Sequence, residues 1–163
     1  MELSIQPLKE EHYTAVKGIY AEGIETGKAT FETKIINWHE WDTKYIEPCR
    51  LIAKLNHSFV GFACLSKVSS REVYSGVAEV SIYISKEHRG KGLGEVLLKA
   101  IIEESEKNGF WTLQSSIFKS NLPSIQLHTK CGFRKVGIRE KIGKLNGAWF
   151  DNIIFEKRSK HIL

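Results

Sequence analysis

Disulfide chemistry has little to work with in this sequence. Among 163 residues there are three cysteines, Cys49, Cys64 and Cys131, odd in number, far apart and without a C-x-x-C pair. A disulfide framework needs an even set at suitable spacing, so the three are expected as small buried hydrophobes. No apolar run approaches the roughly 20 residues of a membrane helix. The first residues, MELSIQPLKEEH, lack the basic start and apolar core of a signal peptide. The expected location is therefore the cytoplasm, with no membrane partner. The six histidines, at 12, 39, 57, 88, 128 and 161, show no ligand spacing with cysteine or a carboxylate, so no metal is expected. Repeats and low-complexity segments are missing, and so are the G-x-x-x-x-G-K-[ST] and G-x-G-x-x-G phosphate loops.

What is present is ordinary globular material: 42% hydrophobic and 26% charged residues. The length suits one domain, 1–163, with a real core. A net charge of +5 is mild and compatible with an anionic ligand. Nucleic acid is a competing partner, but the basic residues are scattered, and only Lys157–His161 cluster. A frayed, solvated tail over 158–163 explains that cluster more simply, and no nucleic-acid partner is expected.

One stretch organises the chain: Val80 to Leu98, VSIYISKEHRGKGLGEVLL. An alternating apolar strand runs into a basic glycine-rich turn, Arg89-Gly90-Lys91-Gly92-Leu93-Gly94. The turn opens onto a helix with Leu93, Val96, Leu97, Ala100 and Ile101 on one face. A helix start has unpaired N–H groups and a partial positive dipole. Glycines allow close backbone approach, and Arg89 and Lys91 add charge. Such a turn suits a phosphate or pyrophosphate.

Around it the chain reads as a strand at Leu3–Leu8, a helix over Lys9–Thr26 and a loop at Lys28–Thr33. A helix over Asn37–Glu47 and a hairpin of Arg50–Leu55 with Phe59–Lys67 follow. In the central strand, Val77–Ile84, alternation puts Ala78, Val80, Ile82 and Ile84 on one face and Val77, Glu79, Ser81 and Tyr83 on the other. A carboxylate in mid-strand is costly to bury unless paired. Glu79 is thus either a structural ion-pair or hydrogen-bond partner or a general base. A helix spans Lys91–Lys107, a strand Trp111–Phe118, and a helix with an early proline follows Asn121. The last segment, Phe133–Glu156, reads as a hairpin around Asn146-Gly147.

Three matches carry a family resemblance. The first is R-x-x-G-x-G, read as Arg89, Gly92 and Gly94, which resembles the acetyl-coenzyme A pyrophosphate loop of the GNAT N-acetyltransferase superfamily. The second is IYAEGIETGKATFET, which resembles the N-terminal signature of the phosphinothricin and methionine sulfoximine acetyltransferase branch. The third is the run from Asn121 to Phe133, similar to the superfamily motif N-x-x-[SA]-x-x-[LF]-[YH]-x-x-x-G-F. The string Glu140, Gly143, Lys144, Gly147, Trp149 and Asp151 also matches that branch. The likeness covers roughly Ile5 to Phe155.

The resemblance implies a single-domain α/β fold with a mixed, strongly twisted sheet flanked by helices. It implies acetyl-CoA as co-substrate, and transfer of acetyl to the primary amine of a small amino-acid-like acceptor. It also implies a homodimer. Coenzyme would be held by Ile82, Tyr83, Ile84, Arg89, Gly90, Lys91, Gly92, Leu93, Gly94, Asn121 and Ser124. Acceptor would be held by Phe31, Glu32, Arg71, Tyr74 and Glu79. Glu79 is the first choice of base, with Glu32 second, and His128 is the choice for a proton or hydrogen bond to the departing thiolate. Each has a bland reading beside it: core packing for Phe31, an exposed surface arginine for Arg71, a satisfied structural histidine for His128. Trp149 and Asp151 wall the pocket, pack, or steady a turn. Other acceptors (a protein N-terminus, a polyamine) and a non-catalytic acyl-CoA-binding module remain as alternatives.

Overall fold

The computed structural model describes residues 2–163. Seven strands form one sheet: β1 (Leu3–Pro7), β2 (Tyr45–Leu55), β3 (Ser58–Lys67), β4 (Val77–Ile84), β5 (Thr112–Phe118), β6 (Arg134–Leu145) and β7 (Ala148–Arg158). Their order is β1-β2-β3-β4-β5-β7-β6. Among the described residues only β4 and β5 pair parallel, and every other neighbour pair is antiparallel. The sheet is therefore mixed, as expected.

The described residues also form four α-helices: α1 (Tyr13–Glu25), α2 (Trp38–Lys44), α3 (Leu93–Lys107) and α4 (Leu122–Lys130). Alternation along β4 sends Ala78 and Val80 into a core with Leu97, Leu98 and Ile101 of α3. Tyr83 packs instead with Ile19 of α1 and Trp41 of α2. Helices α1 and α2 thus cover one face of the sheet and α3 the other, and β4 is buried from both sides. The Asn146-Gly147 turn has both residues at positive φ, 50° and 82°, the backbone a two-residue hairpin demands. All three cysteines are buried and free.

Several boundaries differ from expectation. Helix α2 ends at Lys44, not Glu47, because Tyr45 is already extended (φ −105°, ψ 146°). Pro48 disfavours helical backbone just before it, and β2 begins at Tyr45. The segment before α1 starts as a 3-10 turn, Glu10–His12, in which His12 Nδ1 accepts from the Lys9 amide at 2.9 Å. The tail expected to fray is tied back: the Ser159 amide donates to Trp111 O at 2.8 Å, and Arg158 Nη1 donates to Ile162 O at 2.7 Å.

Candidate active site

Strands β4 and β5 pair only from Val77–Glu79 to Thr112–Gln114. Past Glu79, β4 continues to Ile84 and β5 to Phe118, and the two part. Their separation opens a cleft of about 840 Å³. The edge of β4 beyond Glu79 has no strand partner on that side, so backbone donors face the cleft. Ile82, Tyr83 and Ile84 line it, as do Phe31, Glu32 and Glu79.

At the fork sits Glu79, half-buried. Its Oε1 accepts from Gln114 Nε2 at 3.2 Å and from Ser116 Oγ at 3.1 Å. Gln114, Ser116 and Phe118 share a face of β5 by alternation. Phe31 packs on that face, its ring tilted 45° to that of Phe118 with centroids 4.4 Å apart. Gly143 gives the ring its seat, since a Cβ there would lie 2.5 Å from Phe31 Cζ. Glu32 is exposed at the cleft wall, its amide donating to Thr30 Oγ1 at 3.1 Å. Tyr20, Tyr45 and Tyr83 form the wall on the α1 side, and burial raises all three phenols, which stay protonated as hydrogen-bond donors.

The other end is built by the glycine turn. Gly90 and Gly92 have φ of 72° and 79°, and a Cβ on either would meet nothing within 4 Å. Their glycine requirement is backbone conformation. Gly92 is the residue before α3, leaving the first amides of that helix pointing at the cleft. The turn is anchored: Arg89 Nε donates to Ile84 O at 3.1 Å, and the Lys86 amide donates to Glu22 Oε2 at 2.7 Å. Glu95 in the first turn of α3 is held down to about 2 by Lys130 and Lys99, each 2.6 Å away.

Some expected site residues fall elsewhere. Gly94 lines the cleft, but its Cβ position points at Leu127 of α4, 3.2 Å away, so its smallness serves helix packing. Lys91 is exposed and does not line the cleft, and Leu93 packs against the core. Asn121 and Ser124 line it, yet Asn121 Oδ1 is engaged as the cap of α4, accepting from the Ser124 amide at 3.3 Å. Arg71 and Tyr74 are not on the wall. They precede β4 at the end where it is still paired with β5, exposed, the guanidinium 5.4 Å from the Tyr74 ring. Trp149 is 58% exposed and Asp151 steadies the β6 bulge, its Oδ1 accepting from the Lys141 amide at 2.7 Å.

His128 is the largest change. It lines the cleft beside Ser115, but its ring is buried, 2% exposed. Its Nδ1 donates to Ser124 O at 2.8 Å, and its Nε2 accepts from Ser115 Oγ at 2.9 Å. Burial pushes its pKa down from the usual imidazole range. In a neutral ring so bonded, the one N–H is committed to Ser124 O and Nε2 carries no proton for a departing thiolate.

Sequence reasoning missed Ser115, Ser116 and Asn152, all on the cleft wall. Thr112, Gln114 and Ser116, alternating along TLQSSIF, were a visible signal for Ser116 but not for Ser115, and only the register with Glu79 gives it meaning. Among the described residues no cluster of three or more His, Cys, Asp or Glu is arranged to hold a metal, and no helix is long and apolar enough to cross a membrane.

Comparison with known proteins fits this geometry. A sequence model of the acetyltransferase (GNAT) family matches residues 13–133. A phosphinothricin N-acetyltransferase of Alcaligenes faecalis is 26% identical over 94% of this chain and 81% of its own length. An L-methionine sulfoximine/L-methionine sulfone acetyltransferase of Pseudomonas aeruginosa is 30% identical over 70% of this chain and 66% of its own. The crystal structure of a phosphinothricin acetyltransferase from Sinorhizobium meliloti in complex with acetyl-CoA superposes with a TM-score of 0.87 at 26% identity, covering 97% of this chain and 89% of that one.

Proposed function

Since the chain belongs to the acetyltransferase (GNAT) family, we propose that it transfers acetyl from acetyl-CoA to the primary α-amine of a small amino-acid-like acceptor. The acceptor is of the phosphinothricin or methionine sulfoximine type, the class that the relatives' names share. The observation that carries this reading is the carboxylate of Glu79 at the fork where β4 leaves β5.

The cleft fits the coenzyme by its chemistry. Arg89, the left-handed turn of Gly90 and Gly92, and the first amides of α3 suit a pyrophosphate. The bound thioester supplies the acetyl group. Glu79 takes a proton from the ammonium of the acceptor, directly or through water, because only the free amine attacks. Gln114 and Ser116 hold that carboxylate in place. Unpaired N–H groups along Val80–Ile84 stabilise negative charge developing on the acetyl oxygen. As the C–N bond forms the C–S bond breaks, and the thiolate leaves without a proton from His128. Glu32 and Phe31 flank the acceptor, and holding both partners in line lowers the entropic barrier. Arg71 and Tyr74 do not enter this reading.

Release of free coenzyme A thiol over a panel of amines tests the proposal. Turnover with phosphinothricin or methionine sulfoximine supports it. Turnover confined to spermidine or a peptide amine overturns the acceptor class, and silence with every amine overturns the activity.

A further inference from the structure

One cleft residue lacks a role in that chemistry and carries a cost. Asn152 on β7 is 8% exposed, and its Oδ1 is buried with no hydrogen-bond partner among the described residues. A buried polar atom without a partner is destabilising, and native proteins rarely keep one without a use. Asn152 lines the cleft. Its position follows from register: Glu79 pairs with Gln114, and Phe118, four residues along β5, pairs with Asn152. Paired residues share a face, so Asn152 stands on the same side of the sheet as Glu79. At about 3.4 Å per residue and 4.8 Å between strands, their α-carbons are roughly 16 Å apart. Two side chains with an extended amino acid between them span such a distance. On the shared face Phe150 and Ile154 flank Asn152 along β7, and Phe118 stands across from it. On β6 its partner is Arg139, exposed and off the cleft wall, so on the cleft side the amide is a polar group between Phe118, Phe150 and Ile154.

We propose that Asn152 reads the tail of the acceptor. Its carboxamide pairs with a neutral group that offers a hydrogen-bond donor beside an acceptor, such as a sulfoximine or a carboxamide. A sulfone or a phosphinate offers oxygens alone and leaves Oδ1 unmatched. This inference rests on the α-amino-acid reading above and adds the choice among such acceptors.

Methionine sulfoximine and methionine sulfone make the test, since they differ by one N–H in place of an oxygen. The wild-type protein is expected to favour the sulfoximine by about tenfold or more in kcat/KM, the worth of one matched buried hydrogen bond. Asn152→Leu is expected to bring that ratio near one, by losing rate on the sulfoximine. Asn152→Asp keeps an acceptor and repels sulfone oxygens, so its ratio is expected to widen. It also decides the matter if the leucine variant does not fold. A wild-type ratio near one, or a ratio unchanged in the folded variants, overturns the assignment, since a merely structural asparagine would lower both rates together. If phosphinothricin reacts and neither sulfur compound does, the acceptor reading stands and the assignment of Asn152 falls alone; if only amines other than α-amino acids react, both fall.

Discussion

Ser116 donates a hydrogen bond to Glu79 across the last point at which β4 and β5 still touch, Oγ to Oε1 at 3.1 Å. The bond ties the proposed base to the neighbouring strand where the cleft begins. Glu79→Gln keeps the shape and removes the basic oxygen. Its kcat/KM is expected to fall about a hundredfold, the low end of what general-base catalysis contributes. The loss should be largest at low pH and shrink as the pH rises and free amine becomes abundant. A pH–rate profile with the shape of the wild type would move the base role to Glu32 or to water.

His128 is a buried, neutral imidazole, its pKa pushed down by burial. The unfolded chain takes up a proton there near 6.5, and the folded one does so only at lower pH. Stability therefore falls as the pH drops below about 6.5, because the unfolded state then binds more protons. Urea unfolding at pH 8 and pH 5 measures this. His128→Gln is expected to be less stable than wild type at pH 8, and to lose less of its remaining stability on acidification. An equal loss in both proteins would remove His128 from the acid sensitivity.

The glycines of the turn separate into two kinds. Gly92 needs positive φ, and Gly94 needs room beside Leu127. Gly92→Val is expected to raise the dissociation constant for acetyl-CoA by tenfold or more, because a β-branched residue in left-handed backbone costs about 1–2 kcal/mol and distorts the turn. Gly94→Leu is expected to act first on thermal stability, by prising α3 from α4. Calorimetric titration and thermal melts of both variants check the division.

Phe31 lies where Gly143 leaves space, and no Cβ fits beneath its ring. Gly143→Val is expected to displace Phe31 and raise KM for the acceptor several-fold, while acetyl-CoA affinity stays within about twofold, since the two ends of the cleft are built by different segments. Equal losses for acceptor and coenzyme would mean that Gly143 serves the fold as a whole.

The coenzyme end was legible in the sequence because it is local. Strand, glycine turn and helix lie within Val80–Leu98, and their periodicities switch in view. The alternation of β4 was legible for the same reason, down to the face that carries Glu79. The acceptor end was not, because it is assembled by register. Ser116 and Asn152 acquire meaning only when β4, β5 and β7 are aligned, and no local pattern fixes that alignment. His128 misled for a further reason. Its motif position puts the ring at the cleft but does not say what its nitrogens bond to, and Ser115, thirteen residues earlier, decides that. Tyr45 illustrates the boundary error, since the helical pattern from Asn37 gives no notice of the pairing of Tyr45 with Ser66 of β3 that begins the strand.

The most direct measurement is mass spectrometry of the product formed from acetyl-CoA and methionine sulfoximine by the wild-type protein. Expected is a single acetyl group on the α-nitrogen, formed at the rate at which coenzyme A thiol appears. Thiol release without N-acetyl product, or no reaction with any α-amino acid while acetyl-CoA binds tightly, would contradict acetyl transfer to an amino-acid acceptor.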